Sequence, residues 1–287
     1  MARGFSQAYG IDYFDTYAPV AKLTTYRTIF ALAALEQWEI HGMDIITTFL
    51  LGKLDEEIYM AQPEGFIAKG MKGHMVCRLL RSIYGLKQAS RVWNQRLHRF
   101  LVKIGFTRSN ADHCLYVNHE RKIWITIWVD DLLIAGKDGK EIARLKQQLA
   151  GEFEMKDLGD VKHFLGMKIT RDPVNGSILI DQTAYIRSIF ERFGMEASKP
   201  ISTPLATGAR LVKANGDDAD GNVDLKLYQG IVSSIMWEML CTRPDTAFAI
   251  QQLFQFVSKP TNAHLQAAKH APNLIFDVNL YKFISFF

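Results

Sequence analysis

Ile123-Trp124-Ile125-Thr126-Ile127-Trp128-Val129-Asp130-Asp131-Leu132-Leu133-Ile134-Ala135-Gly136 is the stretch that decides how this chain folds. Both arms are apolar and rich in β-branched residues, and they read as buried strands. Two adjacent carboxylates between such arms belong at a tight hairpin turn, where a charged pair keeps its water. Taken alone, the pair reads equally well as an ordinary acidic turn. A third carboxylate, Asp44, tips the balance, because it ends another apolar segment, Trp38-Glu39-Ile40-His41-Gly42-Met43-Asp44. Three carboxylates on adjacent strands make a hard-oxygen site suited to two Mg2+ ions. Such a pair of ions stabilises the attacking and the leaving oxygen of a phosphoryl transfer.

The composition permits a large core: 48% of the 287 residues are hydrophobic and 22% are charged. No run of 18 apolar residues and no charged-then-apolar leader occurs, so neither a membrane span nor a signal peptide is expected. Cys77, Cys114 and Cys241 are far apart and lack metal-ligand spacing, which fits core packing in a reducing, intracellular compartment, cytoplasmic or nuclear rather than secreted. The net charge of +4 hides a local imbalance. From Lys69 to Arg108 there are ten Lys and Arg and no Asp or Glu, which reads as a polyanion-binding surface.

The remaining elements follow from periodicity and breakers. Thr24 or Thr25 is placed to cap a helix with the apolar stripe Ile29, Leu32, Ala33 and Leu35. Leu54–Met60 and Val76–Leu79 read as strands, the acidic Asp55–Glu57 being solvated rather than metal-binding. Arg91 to Ile104 reads as an amphipathic helix with Val92, Trp93, Leu97, Phe100, Leu101 and Ile104 on one face, and Arg96, Arg99 and Lys103 mostly away from it. Ser90 is suited to cap that helix. His113 and Cys114 read as a turn leading into a strand. Asp138-Gly139-Lys140-Glu141 opens a helix running to about Phe153. Asn175-Gly176 marks a hairpin, and Gly194 closes a helix over Gln182–Phe193. Ser198–Asp224 reads as a linker, followed by helices near Leu225–Leu240 and Asp245–Val257, and Pro272–Phe287 as an apolar, strand-like tail.

Trp128-Val129-Asp130-Asp131 is similar to the Tyr-Val-Asp-Asp box of reverse transcriptases, and Met43-Asp44-Ile45-Ile46-Thr47-Thr48-Phe49-Leu50 to their first carboxylate motif. Ser82-Ile83-Tyr84-Gly85-Leu86-Lys87-Gln88-Ala89-Ser90-Arg91-Val92-Trp93 resembles the block that copia-type retrotransposon polymerases carry between those two. The words match in order, and the resemblance runs from about Arg3 to about Lys269 of the chain.

The resemblance implies an α+β fold: a right-hand polymerase palm and fingers, built as an antiparallel sheet with helices on one face, plus a helical thumb and connection. It divides the chain into a truncated fingers remnant (1–23), a palm (24–170) with interleaved fingers (45–110), the start of a thumb (171–197), a linker (198–224), a helical thumb or connection (225–270) and a tail foreign to the family (271–287). It implies two Mg2+ ions, replaceable by Mn2+, on Asp44, Asp130 and Asp131 with the backbone carbonyl of Ile45. Successive strand residues point to opposite faces, so Asp130 is expected as the principal ligand and Asp131 as the secondary one. Phe49 would stand against the nucleotide sugar and exclude a 2′-hydroxyl. Tyr84, Gly85, Lys87 and Arg3 would complete the nucleotide site. Phe164, Leu165 and Gly166 would grip the primer, within a strand pair spanning Asp157–Met167. Arg91, Arg96, Arg99 and Lys103 would meet the nucleic-acid backbone. The implied partners are an RNA template, a DNA primer, deoxynucleotides and other parts of a Pol polyprotein, namely integrase and RNase H.

Several positions depart from the family pattern: Ile46 for Lys, Thr48 for Ala, Leu51 for Asn and Ser90 for Pro, and no basic fingers segment before Arg3. These keep two rivals in view. One is a catalytically inactive retroelement remnant that only binds nucleic acid, and the other is a metal-dependent nuclease. The expectation for the isolated chain is weak primer extension or none.

Overall fold

The computed structural model describes residues 1–67, 75–172, 176–206, 208, 210–213 and 223–272. These form a mixed α/β protein with antiparallel sheets in two compact units, Met1–Val161 and the chain from Lys162 onward. Lys69, Lys72, Asn175 and nearly all of the expected tail lie outside the described residues.

In the first unit, helix α1 (Leu23–Leu35) precedes strands β1 (Glu39–Ile45), β2 (Lys53–Ala61) and β3 (Val76–Arg81). Helix α2 (Ala89–Lys103) follows, then β4 (Thr107–Arg108), β5 (Leu115–Asn118), β6 (Ile123–Trp128) and β7 (Asp131–Gly136). Helix α3 (Gly139–Glu152) and β8 (Met155–Asp160) complete it. Six strands make one antiparallel sheet in the order β4-β5-β6-β7-β1-β8, and β2 and β3 form a separate ribbon. Four consecutive residues of β7, Leu132 to Ala135, are wholly buried, so both faces of this central strand are covered. The three faces Trp93, Leu97 and Leu101 on α2, Ile29, Phe30 and Ala33 on α1, and Ile142, Leu145 and Leu149 on α3 recur at helical spacing and are buried.

Four sequence expectations are corrected here. Neither Thr24 nor Thr25 caps α1, whose first residue follows Lys22 without a side-chain cap. Thr25 sits inside the helix and donates instead to Asp112 at 2.6 Å. Ser90 likewise lies in the first turn of α2, behind Gln88. Leu35, the last residue of α1, is 66% exposed, because the chain turns away there toward β1. The stretch Asp157–Met167 is divided: its first part is β8, which covers the otherwise open edge of β1, and only the remainder forms a hairpin in the second unit.

Asp112 is a buried polar tie within the first unit. It accepts from the Thr25 hydroxyl, the Lys22 N–H and the Cys114 N–H, joining the start of α1 to the turn before β5. Burial alone would raise its pKa, yet these hydrogen bonds and the Lys22 charge hold it below the usual value. Replacing Asp112 by Ala strands three donors at a buried position and is expected to lower the urea-derived stability by about 3 kcal/mol. Asp112→Asn, which keeps an acceptor, should lose visibly less.

The second unit holds β9 (His163–Phe164), β10 (Met167–Asp172) and β11 (Ser177–Asp181), paired antiparallel in the order β11-β10-β9. Helices α4 (Thr183–Phe193), α5 (Leu225–Cys241), α6 (Ala247–Phe254) and α7 (Asn262–His270) follow. Gly194 ends α4 with φ +64, the left-handed cap expected from sequence. The helices share one core, in which Ile186, Phe190, Tyr228, Ile231, Ile235 and Leu253 meet. Helix α7 was not anticipated, although Pro260-Thr261 announces it: the Thr261 hydroxyl and the buried His264 ring form a capping box.

Candidate active site

Trp128 and Asp131 pair across β6 and β7, so the hairpin loop consists of Val129 and Asp130 alone. Val129 has φ +58, a left-handed conformation that a β-branched residue adopts only under strain. Asp131 is the first residue of β7 and stands directly opposite Asp44 of β1. Directly opposed residues on antiparallel strands project from the same face, with β-carbons about 5 Å apart. The structure thus brings Asp44 and Asp131 together across the strand pair and puts Asp130 in the loop beside them, where its carbonyl accepts from the Ile45 N–H at 3.1 Å.

The electrostatics follow from that crowding. Burial, then the charges of Asp130 and Asp44, push the Asp131 carboxyl up to about 6. Uncompensated negative charge of this kind, on half-buried hard oxygens, has the donor chemistry that a divalent cation satisfies. In the side-chain positions observed, no group of three or more His, Cys, Asp or Glu among the described residues is disposed to hold a metal ion.

Two neighbours escaped the sequence reading. Lys156 of β8 lies opposite Asp44 on the side away from Asp131, so a cation flanks the carboxylate row. Only the pairing of β8 with β1 puts it there, and no local motif announces it. Thr48 has a signal in the sequence, as a departure from the family pattern. Its buried hydroxyl donates to the Ile45 carbonyl at 2.9 Å, engaging one lone pair of an oxygen expected to face a metal.

The expected nucleotide residues converge. The rings of Phe49 and Tyr84 meet edge to face at 4.8 Å. The Ala2 N–H donates to the Tyr84 carbonyl at 2.7 Å, carrying exposed Arg3 alongside. Gly85 has φ +96, and a Cβ on it would stand 2.1 Å from the Ala2 carbonyl oxygen, so the close approach requires glycine. Lys87 is held by the N-terminal segment: its Nζ donates to the Gln7 carbonyl at 3.1 Å and the Tyr13 hydroxyl at 3.2 Å, over the Tyr13 ring. Buried Gln88 secures the same contact, accepting from Gln7 and donating to the Asp12 carbonyl.

The basic stretch is less one-sided in space than along the chain. Arg78 pairs with Glu57, Arg91 with Asp15 at 2.9 Å, and Arg96 with Glu152 at 3.2 Å and with the Leu51 carbonyl. Acids from distant segments neutralise these cations, which a run of sequence cannot reveal. Arg99 and Lys103 are exposed and, with Lys53 and Arg96, line a cleft of about 570 Å³ that also holds Asp55 and Glu152. In the second unit, Phe164 is buried in β9, and Leu165 (φ +49) and Gly166 (φ +77) form the two-residue loop to β10. No helix among the described residues is long and apolar enough to cross a membrane.

Comparison with known proteins bears on this geometry. The family model described as reverse transcriptase (RNA-dependent DNA polymerase) matches residues 1–207. The chain is 42% identical over 275 residues to a retrovirus-related Pol polyprotein from transposon TNT 1-94 of Nicotiana tabacum, a match covering 94% of this chain and 21% of that protein. It is 36% identical over 271 residues to the corresponding polyprotein from transposon RE1 of Arabidopsis thaliana, covering 94% and 18% respectively. A putative transposon Ty5-1 protein of Saccharomyces cerevisiae is 34% identical over 229 residues, 79% of this chain and 73% of that protein. The chain spans about a fifth of the length of the plant polyproteins it matches.

Proposed function

This chain belongs to the reverse transcriptase (RNA-dependent DNA polymerase) family, and we propose that it transfers deoxynucleotides to a primer 3′-hydroxyl on an RNA template, as the polymerase domain of a copia-type retrotransposon Pol polyprotein. The single observation that carries the reading is the Asp44–Asp131 opposition beside the Asp130 loop. Asp44, Asp130, Asp131 and the Ile45 carbonyl would hold Mg2+, or Mn2+ in its place. Bound there, the ions supply charge neutralisation for the attacking and leaving oxygens. The carboxylates keep the site anionic and fix where the primer terminus comes to rest, while Phe49, braced by Tyr84, presents an aromatic edge to the sugar.

In this reading residues 24–170 are the palm with fingers interleaved over 45–110, and residues 171–197 and 225–270 supply the thumb and connection. Phe164, Leu165 and Gly166 support the primer from a hairpin whose loop is held in left-handed backbone. Arg99 and Lys103 supply the phosphate contacts, since Arg91 and Arg96 are engaged within the fold. Extension of a DNA primer on an RNA template, dependent on Mg2+ and deoxynucleotides, is the test. Cleavage of the template without deoxynucleotides would point to a nuclease, and binding without either reaction to a remnant.

A further inference from the structure

Both carbonyls of the two-residue carboxylate loop accept hydrogen bonds from outside the hairpin. The Asp130 carbonyl takes the Ile45 N–H of β1, and the Val129 carbonyl takes the indole N–H of Trp93 at 2.8 Å. Trp93 belongs to α2, is 2% exposed, and carries the first large side chain of that helix's buried face. Its ring is fixed in turn, edge to face against Phe153 at 5.3 Å, and Phe153 meets Phe100 in the same way at 5.2 Å. Phe153 closes α3, so the indole is held between two helices before it reaches the loop.

The loop needs such a hold. Val129 at φ +58 occupies backbone that a β-branched residue leaves unless its surroundings over-determine it. A two-residue loop has few ways to relax, and relaxation would turn Asp130 relative to the Asp44–Asp131 pair. A buried indole N–H must also find an acceptor, so the bond is costly to break from either side.

We propose that Trp93 is a positioning residue, its indole N–H clamping the strained Val129 carbonyl so that the carboxylate loop is pre-set for nucleotide transfer. It touches neither substrate nor reacting atoms and acts through the loop. The proposal rests on the polymerase reading for its kinetic consequence, though not for the clamp itself.

Trp93→Phe keeps an aromatic ring in the core and deletes the donor together with part of the indole's volume, so a second arm with Val129→Gly separates the two effects. Expected are a roughly tenfold lower kcat in primer extension, a KM for deoxynucleotide within about twofold of wild type, and faster amide hydrogen exchange at Ile45, whose N–H is bonded to the same loop. Unchanged kcat together with unchanged Ile45 exchange would overturn the proposal. If the wild-type protein extends no primer while Ile45 exchange still quickens in the variant, the clamp stands and the polymerase reading fails.

Val129→Gly supplies the second arm, because glycine adopts φ +58 without strain. In that background Trp93→Phe should lower the urea midpoint by visibly less than it does alone. Simple additivity of the two substitutions would overturn the proposal. Should Trp93→Phe alone be insoluble, the double variant is expected to recover soluble protein, and its failure to do so counts against the clamp.

Discussion

Asp44→Asn is expected to abolish primer extension, by roughly a thousandfold or more, while leaving the protein as stable as wild type or more so. The loss follows if Asp44 shares the divalent cations with the loop carboxylates, because an amide cannot supply the second anionic oxygen. The gain follows from the electrostatics of the metal-free fold. Asp131 stands opposite Asp44, and its carboxyl is pushed up to about 6 by burial, by Asp130 and by Asp44. A carboxyl raised above its unfolded value loses stability as pH climbs from the ordinary carboxylate range through about 6. Asp44 is the smallest of the three causes, so removing its charge relieves only part of that loss, roughly 0.5 kcal/mol at pH 7 after allowance for solvent screening at a half-exposed group. Opposite signs on activity and stability mark a residue kept for chemistry rather than for folding. The measurement is primer extension alongside urea denaturation at pH 7 without metal. Retained extension in the Asn variant, or lost extension together with a large drop in midpoint, would remove Asp44 from the reacting centre.

Glu238→Leu is expected to stabilise the second unit by about 3 kcal/mol at pH 7 and by little at pH 4. Glu238 lies in the last turn of α5 with no exposed surface, and neither of its oxygens has a hydrogen-bond partner among the described residues. Burial, partly offset by the charge of Arg243 and reinforced by that of Asp245, pushes its carboxyl up to about 8. Arg243 gives its guanidinium to Asp245 instead, through bonds of 2.7 and 2.9 Å. The sign follows from proton counting. Between the usual carboxylate value of 4.5 and about 8 the folded state binds more protons than the unfolded one, so stability falls as pH rises through that window. Below it both states are protonated and the penalty vanishes. An apolar residue of similar size removes the titration and joins a helix face already packed with Ile231, Val232 and Ile235. Urea titrations of both proteins at pH 4, 7 and 9 decide the matter, and a stability difference independent of pH would show that Glu238 is not the group that titrates.

Sequence reading went furthest where local chemistry dictates the answer. The Asp130 hairpin, the strand that carries Asp44, the Asp138 cap of α3 and the Gly194 cap of α4 were each legible, because a turn or a cap is specified by the few residues that form it. Hydroxyls near helix starts misled, since Thr25 and Ser90 serve the fold from inside their helices. Phe49, Tyr84, Gly85 and Lys87 could be singled out by family resemblance. That Gln7 and Tyr13 would bind Lys87 into the N-terminal segment, with Gln88 bonded to Gln7 beside it, could not.

By itself, then, the sequence determined the strands, the turn between them and the acidic character of the loop, all set by interactions within a dozen residues. Tertiary structure alone decided which side chains share a face. Register across β1, β7 and β8 puts Asp131, Asp44 and Lys156 in one row, and the packing of α2 delivers the Trp93 N–H to Val129. It also decided that Arg91 and Arg96 are neutralised by Asp15 and Glu152. The physical reason is common to all of these. Hydrogen-bond propensity and apolar spacing act along the chain, whereas Coulombic pairing and side-chain opposition act across space, between segments whose order in the sequence says nothing of their distance.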